Sequence, residues 1–213
     1  MQDSPARIPR WVKLSFTAFM LVLVPTYWAN YGPTNFLYFC DVALFLTLYG
    51  VWTERPLPLG MAAVGIALPQ LLWVVDFACE LLGAPLVGMT SYMFEPRNPL
   101  FNRSLSLFHG WLPFLLLWLV WRVGYDRRAF VAWIGTAWAL IVICYLWMPP
   151  PHEPGAIVDP NLPVNINYVY GPDGRQPWMP EVAWLCVWML AQPLLLVGPT
   201  HLLLRRFAPA PRG

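Results

Sequence analysis

The sequence predicts an all-α protein, a polytopic transmembrane helix bundle of about six helices with both termini in the cytoplasm. Three observations favour this fold class: an apolar composition, six long apolar stretches, and an uneven distribution of Lys and Arg. Of the 213 residues, 58% are hydrophobic and only 11% are charged, whereas a soluble domain carries about 25% charged residues. Because so few charged residues do not cover a water-facing surface, the composition indicates a membrane protein.

Six apolar stretches form a single integral membrane domain over residues 1–213. A bilayer core about 30 Å thick needs roughly 20 helical residues, and each stretch has about that length. No small-residue cleavage site follows the first stretch, which is therefore interpreted as an uncleaved helix rather than a signal peptide. The predicted spans cover residues 11–28, 35–52, 59–82, 104–121, 129–148 and 182–204.

The basic residues set the predicted orientation. With the N-terminus inside, ten of the 13 Lys and Arg fall in cytoplasmic segments, and only Arg97, Arg103 and Arg175 fall outside. Because short loops rich in Lys and Arg stay in the cytoplasm, an even number of spans is the consistent solution. The chain is thus expected in a bacterial inner membrane, with lipids as its partners. A net charge of +2 and scattered basic residues argue against a nucleic-acid surface.

The longest connection, residues 149–179, is external in this orientation. Its alternating segment 165–170, followed by Gly-Pro-Asp-Gly, predicts an extended segment that leads into a turn. Loops longer than about 15 residues are often functional, but a proline-rich connector without a function is an equal alternative.

Three ionisable residues within the predicted spans form the candidate site. Asp41, Asp76 and His109 each lie about six residues below the outer end of a span, which places all three roughly 9 Å below the external surface at 1.5 Å per residue. Ionisable groups in a membrane are costly and are functional candidates by default. We therefore expect these side chains to meet as catalytic residues, as metal ligands or as both.

Each of the three belongs to a polar stripe with helical spacing, so three helices each present one polar face. The simplest packing turns these faces toward one another and away from lipid. The stripes add five candidate substrate-binding residues: Asn35, Gln70, Trp73, Arg103 and Ser106.

Four chemical interpretations of the cluster remain open. Two carboxylates and an imidazole suit a divalent metal such as zinc. A carboxylate that orients a histidine would make a general base, and the same groups would serve a proton or cation path. The fourth interpretation is a polar cluster that only fixes helix packing.

Several segments carry a resemblance to a known group of proteins. Together they resemble a family of small bacterial multi-pass membrane proteins to which no activity is assigned, so the resemblance implies location and architecture but no reaction. The segments are NFLYFCD from Asn35, PQLLWVVDF from Pro69, SLSLFHGWLP from Ser104, GYDRRA from Gly124, NINYVYG from Asn165 and PTHLLL from Pro199.

The Phe108-His109 pair beside serines is also faintly similar to membrane hydrolases related to alkaline ceramidases, which have seven helices and a three-histidine zinc site. This chain lacks their HxxxH pair, and the predicted topology places His201 far from His109.

Two classes of function follow from the sequence. One is an intramembrane enzyme that acts on a lipid or lipid-linked substrate, with or without a metal. The other is a non-catalytic protein that transports protons or small molecules, or binds a ligand. Few polar residues occupy the inner half of the spans, which favours a pocket open to the outer leaflet over a complete transport path.

Overall fold

The computed structural model describes residues 7–84, 86–96, 98–152, 162–172 and 174–211. Arg97 and Arg212, which contribute to the predicted orientation, and Asp173 of the predicted turn lie outside these residues. The described helices are α1 (Arg10–Tyr31), α2 (Phe39–Thr53), α3 (Pro56–Leu81), α4 (Leu100–Val123), α5 (Arg128–Trp147) and α6 (Glu181–Phe207).

The all-α bundle predicted from the sequence is confirmed, and each helix coincides with one predicted span. Five helices are long and apolar enough to cross a membrane. The exception is α2, which has 15 residues. It begins later than predicted, because Pro33–Leu37 forms a separate 3₁₀ turn in front of it.

Two helices contain local irregularities. In α4, a short first segment, Leu100–Ser106, is followed by the main segment, Phe108–Val123. In α6, residues Gln192–Val197 are π-helical. Pro193 lies in this π-helical segment, and a proline without a backbone N–H interrupts the regular hydrogen-bond ladder.

Helix α3 lies at the centre of the bundle and contacts α2, α4, α5 and α6. Small residues line its contact with α5, which lets the two backbones approach closely. An added Cβ at Gly65 would lie 2.1 Å from Cε2 of Trp133, and one at Gly60 would lie 2.9 Å from Cβ of Ala129. Trp133 is fully buried, so the indole fills the space that Gly65 leaves.

The bundle has two ends, which we call the loop face and the terminal face. The described parts of the connections α3–α4 and α5–α6 lie at the loop face, where α1 ends and α2 begins. The terminal face carries the start of α1 and the end of α6. There the Glu54 carboxylate accepts hydrogen bonds from the backbone N–H groups of Arg7 and Ile8 at 2.9 and 3.3 Å, and from Lys13 Nζ at 2.6 Å.

Candidate functional site

A cavity of about 450 Å³ opens at the loop face between the ends of α1, α2, α3 and α4. Its volume lies in the range of small-molecule sites, roughly 300–1,000 Å³. Two of the three predicted ionisable residues, Asp41 and His109, line it. The common depth inferred from the helix register therefore brings these two side chains to one cavity.

Asp41 contributes a buried carboxylate with one unpaired oxygen. The residue is 2% exposed. Its Oδ2 accepts a hydrogen bond from Asn35 Nδ2 at 3.2 Å, while its Oδ1 is buried and has no hydrogen-bond partner among the described residues. An unpaired buried carboxylate oxygen is energetically costly. Its cost is relieved when the carboxyl group carries a proton, or when a water or a ligand at the cavity donates to it.

His109 is held in one tautomer by the backbone. Its Nδ1 lies 2.8 Å from the carbonyl oxygen of Ser106, and because a carbonyl only accepts, Nδ1 carries the proton. In the neutral ring Nε2 is then a free acceptor, and it makes no hydrogen bond to any described residue. The ring stacks on Trp73, with centroids 5.2 Å apart, and on Phe108 at 4.0 Å. These contacts fix its orientation in the cavity wall.

The remaining cavity wall is mainly aromatic. The hydroxyls of Tyr27 and Ser106 lie 2.8 Å apart and bond the end of α1 to the start of α4. Tyr168 adopts a φ of +61°, a left-handed conformation that is uncommon for a bulky residue and often marks a functional position. The aromatic lining residues are Tyr27, Tyr31, Tyr38, Trp73, Tyr92, Phe108 and Tyr168.

The loop between α5 and α6 forms one wall of the cavity. The extended conformation predicted for residues 165–170 is wrong: these residues form a compact turn around Asn165 and Asn167, both at positive φ. Asn tolerates this conformation and bonds nearby backbone groups. Asn167 Oδ1 accepts from Phe39 N at 3.0 Å, and its Nδ2 donates to Leu37 O at 2.8 Å. The turn is thereby attached to the start of α2.

Asp76 has a structural environment that differs from that of Asp41. Its Oδ1 accepts backbone hydrogen bonds from Leu86, Val87 and Gly88, and its Oδ2 accepts from both the N–H and the hydroxyl of Thr90, all within 2.6–3.1 Å. We call this arrangement the Asp76 clamp. Both oxygens are occupied, and Asp76 does not line the cavity.

The three-residue ligand set predicted for zinc is therefore not assembled. Asp76 is committed to the loop, whereas Asp41 and His109 face the cavity. Among the residues that the structure describes, no group of three or more His, Cys, Asp or Glu side chains is placed to hold a metal ion.

Of the five predicted substrate-binding residues, three line the cavity and two do not. Asn35, Trp73 and Ser106 line the cavity. Gln70 does not; it is buried in α3, and neither amide atom has a hydrogen-bond partner among the described residues. Arg103 donates from Nη1 to the carbonyl of Met93 at 3.0 Å, which fastens the loop before α4.

Several lining residues were missed by the sequence reasoning. Tyr27 and Tyr31 are four residues apart near the end of α1, a spacing that places both on one face at the depth of Asp41. That spacing was a usable signal. Tyr92 and Tyr168 come from irregular loops, where no periodic pattern fixes the direction of a side chain.

His201 lies at the opposite end of the bundle from His109, as the predicted topology requires. Its Nδ1 lies 2.6 Å from the hydroxyl of Tyr125 at the terminal face. The two histidines therefore do not share a site.

Comparisons with protein-family models, with curated proteins and with solved structures found no match.

Proposed function

We propose that this protein binds the cationic headgroup of an amphiphile in the loop-face cavity, at the outer surface of a bacterial inner membrane. The observation that carries this proposal is the buried, unpaired Oδ1 of Asp41 in a cavity of about 450 Å³. A cation in the cavity places an opposite charge beside this carboxylate and so stabilises its ionised form.

The aromatic lining supports a cation rather than an anion. Seven aromatic side chains surround the cavity, and the faces of Trp and Tyr rings attract ammonium groups, most strongly where water is excluded. No Lys or Arg occurs among the described lining residues. An anionic headgroup would therefore meet the Asp41 carboxylate, with no Lys or Arg among the described lining residues to offset the repulsion.

Exposed apolar side chains at the loop face support an amphiphile rather than a fully polar ligand. Leu162 lines the cavity and is 53% exposed. Leu82, Leu86 and Val87 are also exposed in the loop that follows α3. Exposed apolar side chains at the same end as a cavity that contains a carboxylate suit a headgroup in the cavity with its chain in the bilayer.

Calorimetric titration of the protein in lipid nanodiscs tests the charge preference. Choline and its uncharged isostere 3,3-dimethylbutan-1-ol have nearly the same shape, and neither carries a long chain that partitions into the bilayer. We expect choline to bind at least tenfold more tightly than the isostere, and acetate not to bind. Equal affinities for choline and the isostere, or tighter binding of acetate, would refute the cationic assignment.

His109 favours a second candidate function, an enzyme that performs acid–base chemistry on the bound amphiphile. With Nδ1–H donated to the Ser106 carbonyl, Nε2 is positioned to accept a proton from water or from a substrate hydroxyl in the cavity. This is the arrangement in which a histidine acts as a general base.

Mass spectrometry of the nanodisc lipids before and after incubation distinguishes the two candidates. Conversion of a lipid by the parent protein, abolished in His109→Gln, would establish the enzyme. Choline binding without any lipid conversion, retained in His109→Gln, would establish a binding protein.

A further inference from the structure

We propose a second site, at the terminal face, that binds the phosphate of an anionic membrane lipid between the start of α5 and the end of α6. A cavity of about 420 Å³ lies there, and three arginines line it: Arg127, Arg128 and Arg205. This site lies at the opposite end of the bundle from the Asp41 cavity and does not depend on the function proposed for that cavity.

The C-terminal segment forms one wall of this second cavity. Tyr125 N donates to the carbonyl of Pro209 at 2.8 Å. At Gly124, where φ is +94°, an added Cβ would lie 2.4 Å from the carbonyl oxygen of Ala210. The close approach thus needs a glycine at this position. Residues 208–211 are thereby positioned across the loop before α5.

The charge of the cavity is strongly positive. Of its lining residues, three are cations and one, Asp126, is an anion. Asp126 is already paired with Arg128, with Oδ2 2.7 Å from Nη2. Arg127 and Arg205 are exposed, and neither forms an ion pair with a described residue. Two guanidinium groups are therefore available, and guanidinium donors match the oxygens of a phosphate.

Apolar side chains next to these arginines favour a lipid over a free anion. Leu202, Leu203 and Phe207 on the last turns of α6 are each at least 60% exposed. A lipid phosphate at Arg127 and Arg205 would place its acyl chains along such a surface. Basic pockets between helices on the cytoplasmic side are typical headgroup sites.

Native mass spectrometry in phosphatidylcholine nanodiscs that contain a few per cent of phosphatidylglycerol tests the site. We expect the parent protein to retain phosphatidylglycerol and the double variant Arg127→Gln/Arg205→Gln to bind it at least about tenfold more weakly, because both guanidinium groups that would hold the phosphate are removed. The matched control is Arg10→Gln/Arg206→Gln. It removes the same charge from residues that do not line the cavity.

Three outcomes would overturn the proposal. Equal loss in the control and in the pocket variant would show that net charge alone attracts the lipid. Displacement of phosphatidylglycerol by millimolar inorganic phosphate would assign the site to a free anion. A lower thermal stability of Arg127→Gln/Arg205→Gln than of the control, measured without phosphatidylglycerol, would show that the two arginines act through folding.

Discussion

Asp41 and Asp76 are buried carboxylates at the same face of the bundle, yet their hydrogen-bond partners differ. Asp76 accepts five hydrogen bonds, four of them from backbone N–H groups. Asp41 Oδ1 accepts none from the described residues. The first carboxylate therefore stabilises a loop, and the second has an oxygen without a described hydrogen-bond partner beside the cavity.

The Asp76 clamp leads to a stability prediction. In Asp76→Asn, one oxygen becomes an NH₂ group that faces backbone donors, so hydrogen bonds to a charged acceptor are lost and replaced by repulsion. Each such bond contributes about 1.5–3 kcal/mol. We expect the free energy of unfolding, measured by SDS titration in detergent, to fall by about 2 kcal/mol or more. Glu181→Gln, at the more exposed pair with Arg175, is the control and should change little. Equal stability of Asp76→Asn and the parent would contradict the clamp.

At this scale the sequence predicted which side chains lie near one another better than it predicted their hydrogen bonds. The register of the helices predicted a common depth for Asp41 and His109, and both line one cavity. It could not reveal the Asp76 clamp, because the four backbone donors come from an irregular loop whose path no periodicity encodes. The unpaired state of Asp41 Oδ1 likewise depends on atomic positions, not on spacing.

The α3–α5 contact shows how small residues position an element. Gly65→Ala would place a Cβ 2.1 Å from the Trp133 ring, and such overpacking costs typically 1–3 kcal/mol. We expect Gly65→Ala to lower the unfolding free energy by that amount, and Trp133→Phe to restore part of the loss in the double variant. Gly135→Ala is the control, since its Cβ meets nothing within 4 Å; it should be neutral or stabilising. No loss in Gly65→Ala would disprove the close contact.

The hydrogen bonds that the Glu54 carboxylate accepts connect the start of α1 to the α2–α3 turn and lead to a pH prediction. Partial burial raises the pKa of Glu54, but hydrogen bonds from Lys13 and from the Arg7 and Ile8 amides outweigh it, so the pKa is lower than usual. A lowered folded-state pKa stabilises the fold above the unfolded pKa of about 4.3, and the stabilisation disappears as the pH falls further.

Thermal unfolding in detergent between pH 7 and pH 3.5 tests this prediction. The parent should lose more stability over that range than Glu54→Gln, which has no carboxyl group to titrate at this position. Parallel pH profiles for the two proteins would show that the Glu54 contacts do not contribute.

The orientation of the whole molecule is a prediction from its basic residues. Reporter fusions after Arg128 and after Arg206 should report the cytoplasm, and a fusion near Gly174 should report the periplasm. A cytoplasmic signal at Gly174 would show that the bundle has the opposite orientation, with the Asp41 cavity at the inner surface.

Across the whole molecule the sequence predicted the helices well, because span length and hydropathy follow directly from bilayer thickness. The start of α2 was predicted too early, because the apolar residues Phe36 and Leu37 belong to the 3₁₀ turn Pro33–Leu37 and not to the helix. The loop at residues 165–170 was predicted wrongly, because its alternation reflects two asparagines in left-handed turns rather than a strand.

The measurement that tests the central claim most directly is choline affinity in Asp41→Asn, compared with the parent protein by titration in nanodiscs. Asn keeps an acceptor for Asn35 Nδ2 and removes the charge, so the fold should survive while choline binding weakens at least tenfold. Glu181→Gln is the matched control. It removes one negative charge from the loop face, at a residue that pairs with Arg175 and does not line the cavity. Loss of affinity in Asp41→Asn alone is the predicted result; unchanged affinity in Asp41→Asn, or equal loss in both variants, would contradict the assignment of Asp41 as the ligand-binding carboxylate.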